Sequence, residues 1–195
     1  MLLDEPALAE GKEYFRLGAF SISNNGRYLA YAIDDNGSER FEVRIKDLTT
    51  GEHLPEVIPG MLSEIVWVAD DSGFLYGVAN AQWRTDNARF HKLGTPVEND
   101  VELFHEDDEG YRVAVAETSA RNWIVIATGD HVTSEVRLLP ADNVFAEPIL
   151  VAPAKKAANM TWTSMTARCS STPTMWTRNS ASAPPRSTIP ATGTS

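Results

Sequence analysis

An all-β fold built from repeated four-stranded antiparallel units follows from two features of this 195-residue sequence. From Phe20 to Val151, short runs alternate apolar and polar residues with a period of two, broken by Asn-Gly, Ser-Gly and Thr-Gly turns. The pattern then recurs. Arg44, Arg89 and Arg137, each in the third run of its set, are 45 and 48 residues apart, and Gly26 and Gly73 are 47 apart. Four strands in about 40–50 residues is the repeat of a β-propeller blade. The prediction is a partial β-propeller of about three blades, near residues 20–58, 61–105 and 111–153, after a lead-in over 1–19. An irregular β-sandwich is the competing all-β architecture.

Each predicted element has its own signal. In the first unit "FSIS" meets the Asn24-Asn25-Gly26 turn, then "YLAYAI", "RFEVRIKDL", a Thr49-Thr50-Gly51-Glu52 turn and "HLPEVI". The second unit reads "EIVWV", the Asp70-Asp71-Ser72-Gly73 turn, "FLYGVA", "ARFHKL" and "VELFH". The third reads "YRVAVA", the Thr118–Arg121 turn, "WIVIAT", "SEVRLL" and "PILVA". The second strand of each set is almost wholly apolar, as a strand covered on both faces by neighbouring sheets must be. Three blades cannot close a ring, so a stack of three leaves a blade face uncovered at each end.

Charge and composition exclude several classes of function. Residues 1–156 carry fourteen basic against twenty-seven acidic side chains, a net −13, while residues 157–195 hold three arginines and no acid. So acidic a body predicts no nucleic-acid partner and is compatible with attracting basic peptides. No run of about 18 apolar residues is present, which predicts no membrane span, and acids occupy the start where a signal peptide needs bases. The expected location is cytoplasmic. Cys169 is the single cysteine, so no intrachain disulfide can form.

The titratable residues do not assemble into a site by motif. G-x-S-x-G, the strand-to-helix elbow of a serine hydrolase, occurs nowhere, so no catalytic residue is assigned, and Ser38 and Ser72 read as turn residues. His53, His91, His105 and His131 show no metal-ligand spacing, so neither a metal nor a cofactor is expected. Glu106-Asp107-Asp108-Glu109 lacks the alternation of a calcium loop and reads as a solvated turn between blades, with steering of cationic peptides as its functional alternative. Trp67, Trp83 and Trp123 are expected between blades. Glu39, Arg40, Glu42 and Arg44 are expected along one strand, pairing at the surface or meeting another domain. Substrate-binding residues stay unassigned.

The words themselves carry a resemblance. "LAEGKEYFRLGAFSISNNGRYLAYAIDDNGSERFEVRIKDLTTGE", "WRTDNARFHKLGTP", "DVELFHEDDEGYRVAVAETSARNWIVI" and "TSEVRLL" resemble, in order, the N-terminal propeller of the prolyl oligopeptidase family of serine peptidases. Within that family the likeness is to the oligopeptidase B branch. The resemblance implies a seven-bladed parent propeller that caps an α/β-hydrolase catalytic domain and filters substrates by size. It also implies short peptides cut after Arg or Lys as substrates of that parent. The catalytic domain is then a missing partner of these residues, which alone are expected to lack peptidase activity. A freestanding propeller that binds proteins is the alternative.

From about residue 157 the Ser/Thr/Pro-rich composition predicts a disordered or non-native tail. Synonymous codons for Ser171–Thr177, regrouped by one nucleotide, can read Ile-His-Thr-Asn-Asp-Val-Asp, a strand-like phrase similar to the family's next blade. Asn159–Thr163 regroups likewise to Glu-Tyr-Asp-Val-Asp. A one-nucleotide frameshift near residues 156–158 is the expectation, against a natural linker.

Overall fold

The computed structural model describes residues 2–156. The predicted tail, including Cys169 and every regrouped phrase, lies outside the described residues. A five-residue helix, α1 (Glu5–Ala9), is started by Asp4, whose Oδ1 accepts from the Ala7 N–H at 3.2 Å. Twelve strands follow: β1 (Arg16–Ile22), β2 (Tyr28–Asp34), β3 (Phe41–Asp47), β4 (His53–Met61), β5 (Val66–Trp67), β6 (Gly73–Tyr76), β7 (Asn87–Lys92), β8 (Val101–His105), β9 (Arg112–Glu117), β10 (Trp123–Gly129), β11 (Thr133–Pro140) and β12 (Ile149–Lys156). They form three antiparallel sheets, β1–β4, β5–β8 and β9–β12, each pairing its strands in chain order. That meander is the topology of a propeller blade, and the inner strands β1, β5 and β9 lie side by side.

Why the second strands are apolar throughout is visible in the packing. In β2, Ala30 and Ala32 face blade 2, joining Val43, Ile45 and Ile58 against Trp67, Phe74 and Tyr76. Leu29, Tyr31 and Ile33 point to the opposite face, where Leu3, Leu8 and Phe15 of the lead-in cover them. In β10, Ile124 and Ile126 pack toward Val66, Leu75 and Phe90 of blade 2, and Val125 and Ala127 form part of a separate cluster with Val136 on the other side. Period-two alternation therefore feeds two cores from one strand.

The blades superpose residue on residue at their first hairpin. Ser23, Val68 and Thr118 donate to the carbonyls of Tyr28, Gly73 and Trp123 at 2.9–3.1 Å. Gly26, Asp71 and Arg121 occupy the same left-handed position, with φ of 73°, 57° and 55°. Gly26 is thus equivalent to Asp71 and not to Gly73, which corrects the 47-residue spacing read between the two glycines. Arg44, Arg89 and Arg137 are equivalent as read: they sit opposite Tyr31, Tyr76 and Ile126 in matching registers.

Candidate functional site

The ring segment has two ends, and each is stitched across blades by polar side chains. At the end carrying the first hairpin turns, Asp71 reaches from blade 2 into blade 1. Its Oδ1 accepts from the Asn24 N–H at 2.6 Å and the Asn24 Nδ2 at 2.9 Å, and its Oδ2 accepts from the Asn25 N–H at 2.8 Å. Arg121, at the same turn position in blade 3, donates to Asn24 Oδ1 at 3.1 Å. Three further bonds tie the blades here: Asn24 Nδ2 to the Val68 carbonyl at 2.9 Å, Trp67 Nε1 to the Ser21 carbonyl at 3.1 Å, and the Ala69 N–H to the Ala141 carbonyl at 2.8 Å. Asn24 is therefore a shared hub for three blades.

At the other end the loops between second and third strands are organised by buried or half-buried side-chain acceptors. Asp34 collects the N–H groups of Asn36, Gly37, Ser38 and Glu39 at 2.8–3.2 Å. Burial pushes the Asp34 carboxyl upward, but those four donors together outweigh it and hold it below the ordinary carboxylate range. This nest winds Glu39 into a left-handed conformation with φ 58° and lifts Arg40 out of the strand. The expected run of Glu39, Arg40, Glu42 and Arg44 along one strand is corrected accordingly: only Glu42 and Arg44 lie in β3, where they pair at 3.3 Å. Arg40 instead donates to the Asn80 carbonyl at 3.1 Å and stacks over the Trp83 ring at 4.8 Å, both in blade 2.

Trp83 also departs from expectation. It is 45% exposed on the loop between β6 and β7, with φ 61°, and does not pack between sheets. Asn80 Oδ1 sets that loop by accepting from Gln82 and Arg84. Trp67 is buried between blades, beside Tyr28 and Phe74, as expected. Trp123 opens β10 half-buried.

The histidines stay apart. His91 is fully buried, its Nδ1 2.8 Å from Asp100 Oδ1, while the Tyr76 hydroxyl donates to Asp100 Oδ2 at 2.6 Å. Burial first, then Asp100, pushes the Tyr76 phenol far up, so it stays neutral and keeps the proton it donates to Asp100. His53 Nε2 lies 2.7 Å from the Tyr31 hydroxyl; burial, Lys46 and Arg44 lower its pKa. His105 sits 3.6 Å from Glu102, and His131 lies in the β10–β11 turn. Among the described residues no three potential ligands come together as a metal site. Ser38 and Ser72 occupy loops, Ser38 inside the Asp34 nest and Ser72 donating its N–H to Asp70. The acidic run bridges β8 and β9, where Glu106 accepts from Asp108 N and Asp108 from Gly110 N. No helix among the described residues is long and apolar enough to cross a membrane.

Three blades with their inner strands gathered and interlocked at both ends define a segment of a β-propeller. The family follows from comparison. A family model described as the N-terminal beta-propeller domain of prolyl oligopeptidase matches residues 1–168, and the chain belongs to that family. It is 32% identical over 142 residues to the dipeptidyl aminopeptidase BI of Pseudoxanthomonas mexicana, covering 72% of this chain and 20% of that protein. Protease 2 of Moraxella lacunata is 26% identical over 145 residues, covering 73% and 21%. Among solved structures, oligopeptidase B from Trypanosoma brucei with covalently bound antipain, in its closed form, aligns with TM-score 0.72 and 26% identity over 80% of this chain and 22% of that one. Oligopeptidase B from Leishmania major shares the fold at TM-score 0.75. The chain spans about a fifth of the length of these relatives.

Proposed function

We propose that these blades belong to a serine endopeptidase of the oligopeptidase B type, in which the propeller is joined to an α/β-hydrolase domain, admits short peptides and delivers them for cleavage after Arg or Lys. The observation that carries this reading is the likeness, at 26% identity, to Protease 2 and to the Trypanosoma oligopeptidase B. Supporting it, the net −13 of residues 1–156 sets up a field that attracts cationic peptides and fades with salt. The 32% identity to a dipeptidyl aminopeptidase favours a second reading, release of dipeptides from a free amino terminus.

The complete product of the gene, assayed on an N-blocked arginine coumarylamide and on free-amino dipeptide coumarylamides, separates the two. Hydrolysis of the blocked arginine substrate, abolished by a serine-directed phosphonylating reagent, is the expected result. Turnover of the dipeptide substrates alone establishes the second reading. Absence of any hydrolysis points to a freestanding interaction module.

A further inference from the structure

Between blades 2 and 3, at the end of the first hairpin turns, lies a cleft of about 270 Å³ that the contacts described so far leave unfilled. Its floor is apolar: Val68, Phe90 and Val144 are each no more than 7% exposed. One wall is Phe145, 67% exposed, whose ring meets Phe90 edge to face at 5.7 Å. So large an exposed aromatic, touched on one side by Phe90, leaves ring surface open to a visitor.

The rim supplies charge. The Ala69 N–H donates to the Ala141 carbonyl at 2.8 Å, which brings the residues that follow each, Asp70 and Asp142, to the same mouth from opposite blades. Asp70 is engaged: the Ser72 hydroxyl and N–H hold its carboxyl below the ordinary range, with Lys92 adding a smaller pull. Asp142 accepts no hydrogen bond and pairs with no base among the described residues. The cleft thus combines an apolar floor, an exposed aromatic ring and one uncompensated carboxylate.

We propose that this cleft is a binding site for an arginine side chain of a short peptide. A guanidinium plane lies on the Phe145 ring while its fork meets Asp142, and its aliphatic stem covers Val144 and Phe90. An apolar guest would leave Asp142 unsatisfied, and an anion would face two carboxylates against one ammonium. The site lends the peptidase reading a foothold for basic peptides, but it needs no hydrolysis and is tested without it.

The test is peptide binding to the 195-residue chain at low ionic strength, read by amide shifts in heteronuclear NMR. The probe is acetyl-Gly-Arg-Gly-amide, with the citrulline peptide as its uncharged isostere. Expected shifts cluster at residues 69–72 and 141–146 for the arginine peptide alone. Asp142→Asn and Phe145→Ala each weaken binding by about fivefold, the scale of one exposed ion pair or cation–π contact. Lys92→Ala, which removes a like charge, tightens it by about twofold, a sign that misfolding cannot imitate. Equal binding of both peptides, shifts elsewhere, or insensitivity to Asp142→Asn and Lys92→Ala overturns the proposal. Such a failure leaves the peptidase reading standing, because that rests on amide hydrolysis.

Discussion

Removing the Asp71 carboxylate tests the interlock between blades most sharply. Asp71 is buried and receives three hydrogen bonds from Asn24 and Asn25, two of them from main-chain N–H groups. A bond to a charged acceptor contributes about 1.5–3 kcal/mol, but water at this turn recovers part of it, so Asp71→Ala is expected to cost about 3 kcal/mol. For a chain of this size that is a fall in Tm of about 6–12 °C. The backbone adds a second, independent signature. Asp71 sits at φ 57°, where alanine is strained and glycine is free, so Asp71→Gly should cost about 1 kcal/mol less than Asp71→Ala. A double-mutant cycle with Asn24→Ala should show coupling of about 1 kcal/mol, since that change removes one of the three bonds, from Asn24 Nδ2, and leaves both main-chain donors in place. Urea denaturation of the wild type and the four variants measures all of this. Loss below about 1 kcal/mol for Asp71→Ala would refute an interlock carried by these bonds, and additive effects of the two changes would remove the Asn24 Nδ2 bond from it.

Three further outcomes follow from the same geometry. Tyr76→Phe removes a donor from Asp100, whose side chain is fully buried, and should lower the denaturation free energy by about 1.5–3 kcal/mol with no change in strand content by circular dichroism; an unchanged midpoint contradicts it. Gly73→Ala would drive a methyl group into the His91 carbonyl and the Phe90 ring and should cost about 3 kcal/mol or more, read as loss of cooperative melting; wild-type melting would show that β6 and β7 are not so tightly paired. The Asp34 carboxyl is depressed in the folded state, so its contribution is fully present above the unfolded value near pH 4 and is lost as pH falls through the lower folded value. Asp34→Asn should therefore flatten the acid side of a Tm–pH profile, and an unaltered acid limb counts against the nest.

Strand identity was readable because it is local. The nearly unbroken apolar runs "YLAYAI" and "WIVIAT" report two-sided burial directly, and the third-strand arginines mark register because each falls opposite an equivalent second-strand position. What escaped reading depends on partners far apart in the chain or on backbone shape. Asp71 meets Asn24 across 47 residues, and no local pattern distinguishes that aspartate from its neighbour Asp70. The two glycines misled because glycine is only one solution for a left-handed turn position; aspartate and arginine fill the same position in blades 2 and 3. Arg40 looked like a strand residue because β3 continues its alternation, whereas the Asp34 nest bends the chain just before it. The Tyr76–Asp100–His91 network joins β6 and β7 to the residue just before β8, and a lone histidine in "ARFHKL" gives no hint of it.

The nucleotide sequence through and beyond codon 156 addresses most directly whether these blades are one part of a peptidase. The account predicts a shifted frame that continues as alternating strands and turns and reaches a G-x-S-x-G segment. Stop codons throughout both shifted frames, with no such segment downstream, would contradict it.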